Sequence, residues 1–193
     1  MEESLSGTLA IDLGNTNTVV AFQDQKDINS VLVEIPNITS SPGVVPSAVW
    51  FEEPSKITKI GISAIEKRDN NSNSDLFFHS NFKRLIGNSI EKNNQKNILN
   101  PNECGEKFFQ ILWANIPHKY KIKRLVLTAP IDTYKGYREW LVNLCENISV
   151  DEIALVDEPT AASLGINVPF GSKIMTLDIG GSTVDMNLSL IHI

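Results

Sequence analysis

Hydrophobic and polar positions along this chain fall into short runs that set its elements. Leu9 to Asp12 is β-compatible, Gly14-Asn15-Thr16-Asn17 is a turn of small polar residues, and Thr18 to Phe22 resumes an apolar run. That order predicts a strand–turn–strand hairpin. Val31 to Ile35 reads as a third strand. Pro36, Pro42, Gly43 and Pro46 interrupt the next stretch, and Ala48 to Phe51 is a short strand. Arg68 to Asp75 and Ile90 to Asn102 are rich in Asn, Ser and Asp, with little to bury, and read as solvated loops. Between them, Phe77 to Gly87 mixes apolar and basic residues and marks a second, more polar lobe.

The period changes in the second half. Glu103 to Ile116 carries Phe108, Phe109, Leu112 and Trp113 at helical spacing, and Pro117 stops it. Ile122 to Thr128 is a strand. Tyr134 to Asn147 is an amphipathic helix with Tyr137, Leu141, Leu144 and Cys145 on one face. Glu152 to Val156 is another strand, running into Asp157-Glu158-Pro159, and Pro159 suits the first turn of a short helix, Thr160 to Leu164. Lys173 to Leu177 and Val184 to Leu190 are strands either side of a turn, Asp178 to Thr183. Strands alternating with helices make the class α/β.

Composition adds bounds. The chain has 193 residues, 41% of them hydrophobic, which suffices for one sizeable core. Its net charge of −6 is opposite in sign to that of a nonspecific nucleic-acid binder. Cys104 and Cys145 form no CxxC pair, and His79, His118 and His192 are widely spaced, so no zinc-ligand pattern is present. Met1 to Gly7 lacks the basic and apolar regions of a secretory signal, and no apolar run is long enough to span a bilayer. The expectation is a cytoplasmic protein with reduced thiols and with neither nucleic-acid nor membrane partners.

One unit recurs. Leu9 to Thr18 and Met175 to Thr183 both read as a strand, then Asp-apolar-Gly, then a small polar turn. Glycine lets backbone approach a ligand, successive N–H groups in a tight turn bind anions, and Ser or Thr hydroxyls add donors. A carboxylate beside phosphates repels them, so a divalent cation is implied between the two, and magnesium takes oxygen ligands while keeping waters. Two facing hairpins would clamp a polyphosphate from both sides. No P-loop, GxGxxG fingerprint or GxSxG elbow competes.

These segments resemble the heat shock protein 70 family. Asp12-Leu13-Gly14-Asn15-Thr16-Asn17-Thr18 is similar to its first phosphate motif, and Val45-Pro46-Ser47 to the Pro-Ser strand start that comes next in that family. Lys83-Arg84-Leu85-Ile86-Gly87, Thr128-Ala129-Pro130 with Arg138, and Val156 to Leu164 match further family segments. Asp178-Ile179-Gly180-Gly181-Ser182-Thr183-Val184-Asp185 resembles the second phosphate motif. The matches run in family order across nearly the whole chain.

The resemblance implies an actin-like ATPase (ribonuclease H-like) lobe: a mixed β-sheet flanked by helices, with a smaller inserted subdomain. Residues 1–37 and 117–170 would form the core subdomain, 38–116 the inserted one, and 171–193 the first hairpin of a truncated second lobe. ATP or ADP with Mg2+ is the implied cofactor. Asp12 and Asp178 would hold the metal through its waters, with Glu158 supporting that shell. Asp178 or Asp185 would position the attacking water. Gly14, Asn15, Thr16 and Asn17 would contact phosphates from one side, and Gly180, Gly181, Ser182 and Thr183 from the other. Pro130 and Arg138 would report nucleotide state to a partner domain. The implied partners are that domain's peptide-binding module, the rest of the second lobe, co-chaperones and unfolded polypeptides.

The chain departs from the family pattern. Asn15 replaces the first of two threonines. Within Gly61-Ile62-Ser63-Ala64-Ile65, Ile65 stands at the spacing assigned to the catalytic lysine, which leaves Lys67, two residues on, as the candidate. The sequence ends soon after the second hairpin. Two other readings accompany an ATP-hydrolysing, chaperone-like fragment. One is a nucleotide- or partner-binding module without hydrolysis. The other is a type III pantothenate kinase-like enzyme, whose opening motif Asp12 to Asn17 also resembles.

Overall fold

The computed structural model describes residues 4–52, 55, 57–71, 76–88, 99–130, 135–166, 171, 173–179 and 184–190. Its centre is a mixed sheet flanked by helices. Strand β1 (Leu5–Leu13) pairs antiparallel with β2 (Asn17–Asp24) and parallel with β8 (Tyr120–Ala129), and β8 pairs parallel with β9 (Glu152–Asp157). Strands β3 (Ser30–Leu32) and β4 (Val44–Pro46) both pair with β2. Helix α3 (Lys135–Cys145) makes the crossover that parallel pairing of β8 and β9 requires.

A second, three-stranded sheet has β5 (Ala48–Glu52) between β6 (Ile57–Ile60) and β7 (Phe78–Ser80). Helix α1 (Ile62–Asp69) packs on β5 and β6, and α2 (Pro101–Ala114) touches the same two strands. Helix α4 (Glu158–Gly165) comes directly after β9. A separate hairpin joins β10 (Lys173–Ile179) to β11 (Val184–Leu190).

One continuous core links the central sheet to α2 and α3. Leu9, Ile11, Val20 and Phe22 from the first hairpin meet Phe108, Phe109 and Leu112 from α2 and Tyr137 and Leu141 from α3. The alternation that marks β1 as a strand is also its burial pattern, with Leu9, Ile11 and Leu13 all buried.

Several elements differ from the sequence expectation. Arg68 and Asp69 close a helix instead of opening a loop, and β6 and α1 precede them. Strand β3 stops at Leu32, yet Val33 and Ile35 are fully buried beyond it, so packing in the core explains their apolar character. Helix α2 starts at Pro101. The Asn100 side chain accepts from the Glu103 N–H at 3.0 Å, and the Glu103 carboxylate accepts from the Asn100 N–H at 2.9 Å, a reciprocal cap that sets the boundary. Helix α4 begins at Glu158, because Asp157 caps it by accepting from the Thr160 N–H at 2.9 Å.

Candidate functional site

Three parallel strands end together. Ile11 pairs with Leu127 and Ala129 with Asp157, so Asp12, Thr128 and Glu158 lie at the carboxyl ends of β1, β8 and β9. Beside β1 the sheet changes from parallel to antiparallel pairing. In α/β sheets, ligands bind outside the carboxyl ends of strands where the topology changes. Asp12 is exposed there, and the Thr128 hydroxyl donates to its Oδ1 at 2.5 Å.

The turn between β1 and β2 is held from beneath. The Ser47 N–H donates to the Thr16 carbonyl at 2.8 Å, and the Ser47 hydroxyl donates to the Gly14 carbonyl at 2.7 Å. That hydroxyl also lies 3.0 Å from the Thr18 hydroxyl, and both residues are buried. Three bonds from one serine thus clamp the turn at Gly14, Thr16 and Thr18, while Thr16 and Asn17 stay exposed. The Asn15 carboxamide donates to Asn81 Oδ1 at 3.0 Å.

Lys83 enters from the other part of the chain. It begins a short 3-10 turn, Lys83–Leu85, anchored by buried Phe82 and Ile86 on either side. Gly87, at φ +78°, then passes so close to Gly136 that a Cβ on Gly87 would meet the Gly136 carbonyl carbon at 2.2 Å. This contact sets the 3-10 turn against the start of α3. Lys83 Nζ comes within 2.6 Å of Glu158 Oε1, the two side chains being 13% and 22% exposed. A charge pair so little exposed is screened weakly by solvent.

Lys83 is the residue that sequence reasoning did not place in the site. Its motif was visible, but the pairing joins residues 75 apart in sequence, and no local pattern encodes such a contact. Lys67 lies elsewhere. Its ammonium is 3.8 Å from Glu52 Oε1, beside the second sheet. Hydrogen bonds from the Trp50 indole and the Ser55 hydroxyl, and then the Lys67 charge, hold Glu52 below the usual carboxylate range.

The second hairpin repeats the first in backbone register. Asp12 pairs with Val19 and Leu13 with Thr18; Asp178 pairs with Asp185 and Ile179 with Val184. Each aspartate therefore sits one residue before the last pair, and in both cases four residues separate the members of that pair in sequence. Gly180, Gly181, Ser182 and Thr183 lie outside the described residues, as do the side chains of Asp178 and Asp185. The hairpin touches α4, where the Ser163 and Thr176 hydroxyls are 3.4 Å apart. Arg138 is exposed on α3 and Pro130 is half-buried after β8. Among the described residues, no group of three or more His, Cys, Asp or Glu could hold a metal directly, and no helix is long and apolar enough to cross a membrane.

No family model matches the chain. The chain is 30% identical over 185 residues to the chaperone protein DnaK of Mycoplasmopsis synoviae (strain 53), and 31% over 186 residues to that of Metamycoplasma hominis. It is 29% identical over 186 residues to DnaK of Mesomycoplasma hyopneumoniae (strain 232). Its relatives are DnaK chaperones. Each alignment covers 93% of this chain, and the chain spans only about 29% of the length of these relatives. The heat shock protein 70 resemblance is thus matched at the level of a fragment, on an α/β fold compatible with an actin-like ATPase lobe.

Proposed function

We propose that the chain is the phosphate-binding part of a DnaK-like chaperone ATPase, with Asp12, Thr128, Lys83 and Glu158 grouped around the nucleotide's terminal phosphates. The observation that carries this reading is the Lys83–Glu158 pair at the carboxyl end of β9, across β8 from Asp12 at the carboxyl end of β1. Residues 1–37 and 117–170 serve as the core subdomain, 38–116 as the inserted one, and 171–193 as the opening hairpin of a second lobe.

The donor set suits a polyphosphate. The exposed Gly14 to Asn17 turn offers backbone N–H groups and the Thr16 hydroxyl. Lys83 supplies a compact positive charge with three donors. Glu158 keeps that ammonium oriented and weakly hydrated. Charge neutralisation by groups already in position is the main protein contribution to phosphoryl transfer.

The same residues suit magnesium held through water. Asp12 has one oxygen engaged by Thr128 and is exposed to solvent, and the described residues offer no direct multi-carboxylate cage. Magnesium usually keeps several waters. Asp12 and Asp178 would hold those waters, with Glu158 supporting them through hydrogen bonds, and the ion would offset charge on the phosphates. Asp178 or Asp185 would orient the attacking water, and Gly180, Gly181, Ser182 and Thr183 would contact the phosphates from the opposite side.

Lys83 is the phosphate-facing cation in this reading, and Lys67 supports Glu52 in the neighbouring sheet. Asn15 favours a slower hydrolysis than a threonine would allow, because its carboxamide is tied to Asn81. The client polypeptides and co-chaperones of the DnaK relatives would be partners of the whole protein.

Calorimetry of the full-length gene product with Mg-ATP tests the proposal. Saturable binding is expected, and Lys83→Ala should weaken it more than Lys67→Ala. Absence of binding, or equal effects from the two lysines, overturns the assignment. Pantothenate-dependent release of ADP would replace it with a small-molecule kinase reading.

A further inference from the structure

Tyr137 sits against the Lys83–Glu158 pair. It is 1% exposed, and the Lys83 ammonium lies 5.6 Å from its ring centroid. Its own placement is firm. It comes right after Gly136, whose backbone abuts Gly87, and its ring packs at 5.6 Å and 35° against Trp140. The ring therefore stays put whatever Lys83 does.

The hydroxyl is the informative atom. It has no hydrogen-bond partner among the described residues. Leaving a buried hydroxyl unpaired costs free energy, and phenylalanine would fill the same space without that cost. Burial raises the hydroxyl's pKa, and the Glu158 and then the Asp12 carboxylates raise it further, so both charges bear on this atom and it remains a donor. A buried donor without an acceptor, on a ring that the Glu158-bound Lys83 ammonium lies over, is suited to a second arrangement in which an acceptor becomes available.

Glu158 is the acceptor most directly concerned. Here its Oε1 is taken by Lys83 at 2.6 Å. A phosphate oxygen entering the site would compete for the same ammonium, and Glu158 would lose part of its hydrogen bonding. Resting on the site reading given above, we propose that Tyr137 is a positioning residue: its ring face seats the Lys83 ammonium, and its hydroxyl is the reserve donor that takes over Glu158 when Lys83 turns to a phosphate. The cation–π contact keeps the ammonium near the site during the exchange. No covalent step is involved; one hydrogen-bond donor replaces another on the carboxylate.

Two substitutions separate the roles. Tyr137→Phe keeps the ring and the core filling and removes only the hydroxyl. Tyr137→Leu removes both. In the full-length protein, Tyr137→Phe should lower kcat about tenfold, the rate equivalent of one charge-assisted hydrogen bond, with KM unchanged. NMR reads the seat independently of turnover. The Lys83 ε-methylene protons should be shifted upfield by the ring in the wild type and in Tyr137→Phe, and the shift should be lost in Tyr137→Leu. Adding Mg-ATP to the wild type should move the Tyr137 Cζ resonance as the hydroxyl gains its acceptor. Wild-type kcat in Tyr137→Phe, or a Tyr137 Cζ resonance that Mg-ATP leaves unmoved in the wild type, overturns the reserve-donor role. Lys83 protons unchanged in Tyr137→Leu overturn the seat. Wild-type turnover in Lys83→Ala instead removes the underlying phosphate-site reading, so the two failures are told apart.

Discussion

Ser47→Ala tests the clamp beneath the turn between β1 and β2. Ser47 is 2% exposed and its hydroxyl serves two partners, the Gly14 carbonyl at 2.7 Å and the Thr18 hydroxyl at 3.0 Å. Gly14 is half-buried, so water can reach its carbonyl in the variant, and that loss is about 1 kcal/mol, the net value of one hydrogen bond. Thr18 is 0% exposed, so its hydroxyl is left buried and unpaired, adding about 1–3 kcal/mol. The expected total is about 2–4 kcal/mol, a large share of the roughly 5–15 kcal/mol that holds a domain folded. Urea denaturation measures it directly, and the melting temperature should drop by roughly 5–12 °C. Thr18→Val removes the orphaned hydroxyl by an isosteric change. The double variant Ser47→Ala/Thr18→Val should therefore be less destabilised than the sum of the singles, by about 1 kcal/mol. Ser47→Ala within about 0.5 kcal/mol of wild type, or strict additivity with Thr18→Val, would refute the clamp.

Other contacts carry three further expectations. A double-mutant cycle of Lys83→Met and Glu158→Gln should give a coupling of about 1–3 kcal/mol in urea unfolding, between the values for exposed and fully buried pairs; coupling near zero would mean that the 2.6 Å contact has no energetic weight. Burial holds the His79 imidazole below its ordinary value, so the unfolded chain takes up a proton at a higher pH than the native one. Stability should be complete above the unfolded value of about 6.5 and fall as pH drops through the depressed native value; His79→Gln should flatten this limb, and an equal acid dependence in both proteins counts against it. The Cys104 thiol is pushed up to about 12 by burial, with Glu103 adding to the effect, and burial raises Cys145 to about 11. Neither should react with a thiol probe in native buffer at pH ~8, and both should react in urea; rapid native labelling would contradict their placement.

The strongly periodic segments were legible without coordinates. The first hairpin, α2, α3 and the inner end of β8 carry a clear alternation or helical spacing, and their burial agrees with it. Helix α1 was not legible. It buries only Ala64 and starts from Gly61 without a side-chain cap, so it has neither an apolar stripe nor a start signal. Strand β6 is four residues long, too short for period two to stand out. At the site, the turn residues and Glu158 were readable as types, because glycines and carboxylates in that order imply phosphate chemistry. The Lys83–Glu158 contact was not, since it is made by how the 3-10 turn docks on α3.

That docking places two glycines back to back. A Cβ on Gly136 would meet the Gly87 carbonyl oxygen at 2.2 Å, just as one on Gly87 would strike Gly136. Crowding in a core can ordinarily be relieved by a smaller residue across the interface. Here no smaller residue exists, so a change at either position has no compensating partner at the other. Both positions are bound to stay glycine, and the join between the segments that carry Lys83 and Glu158 has no neutral route by which to drift.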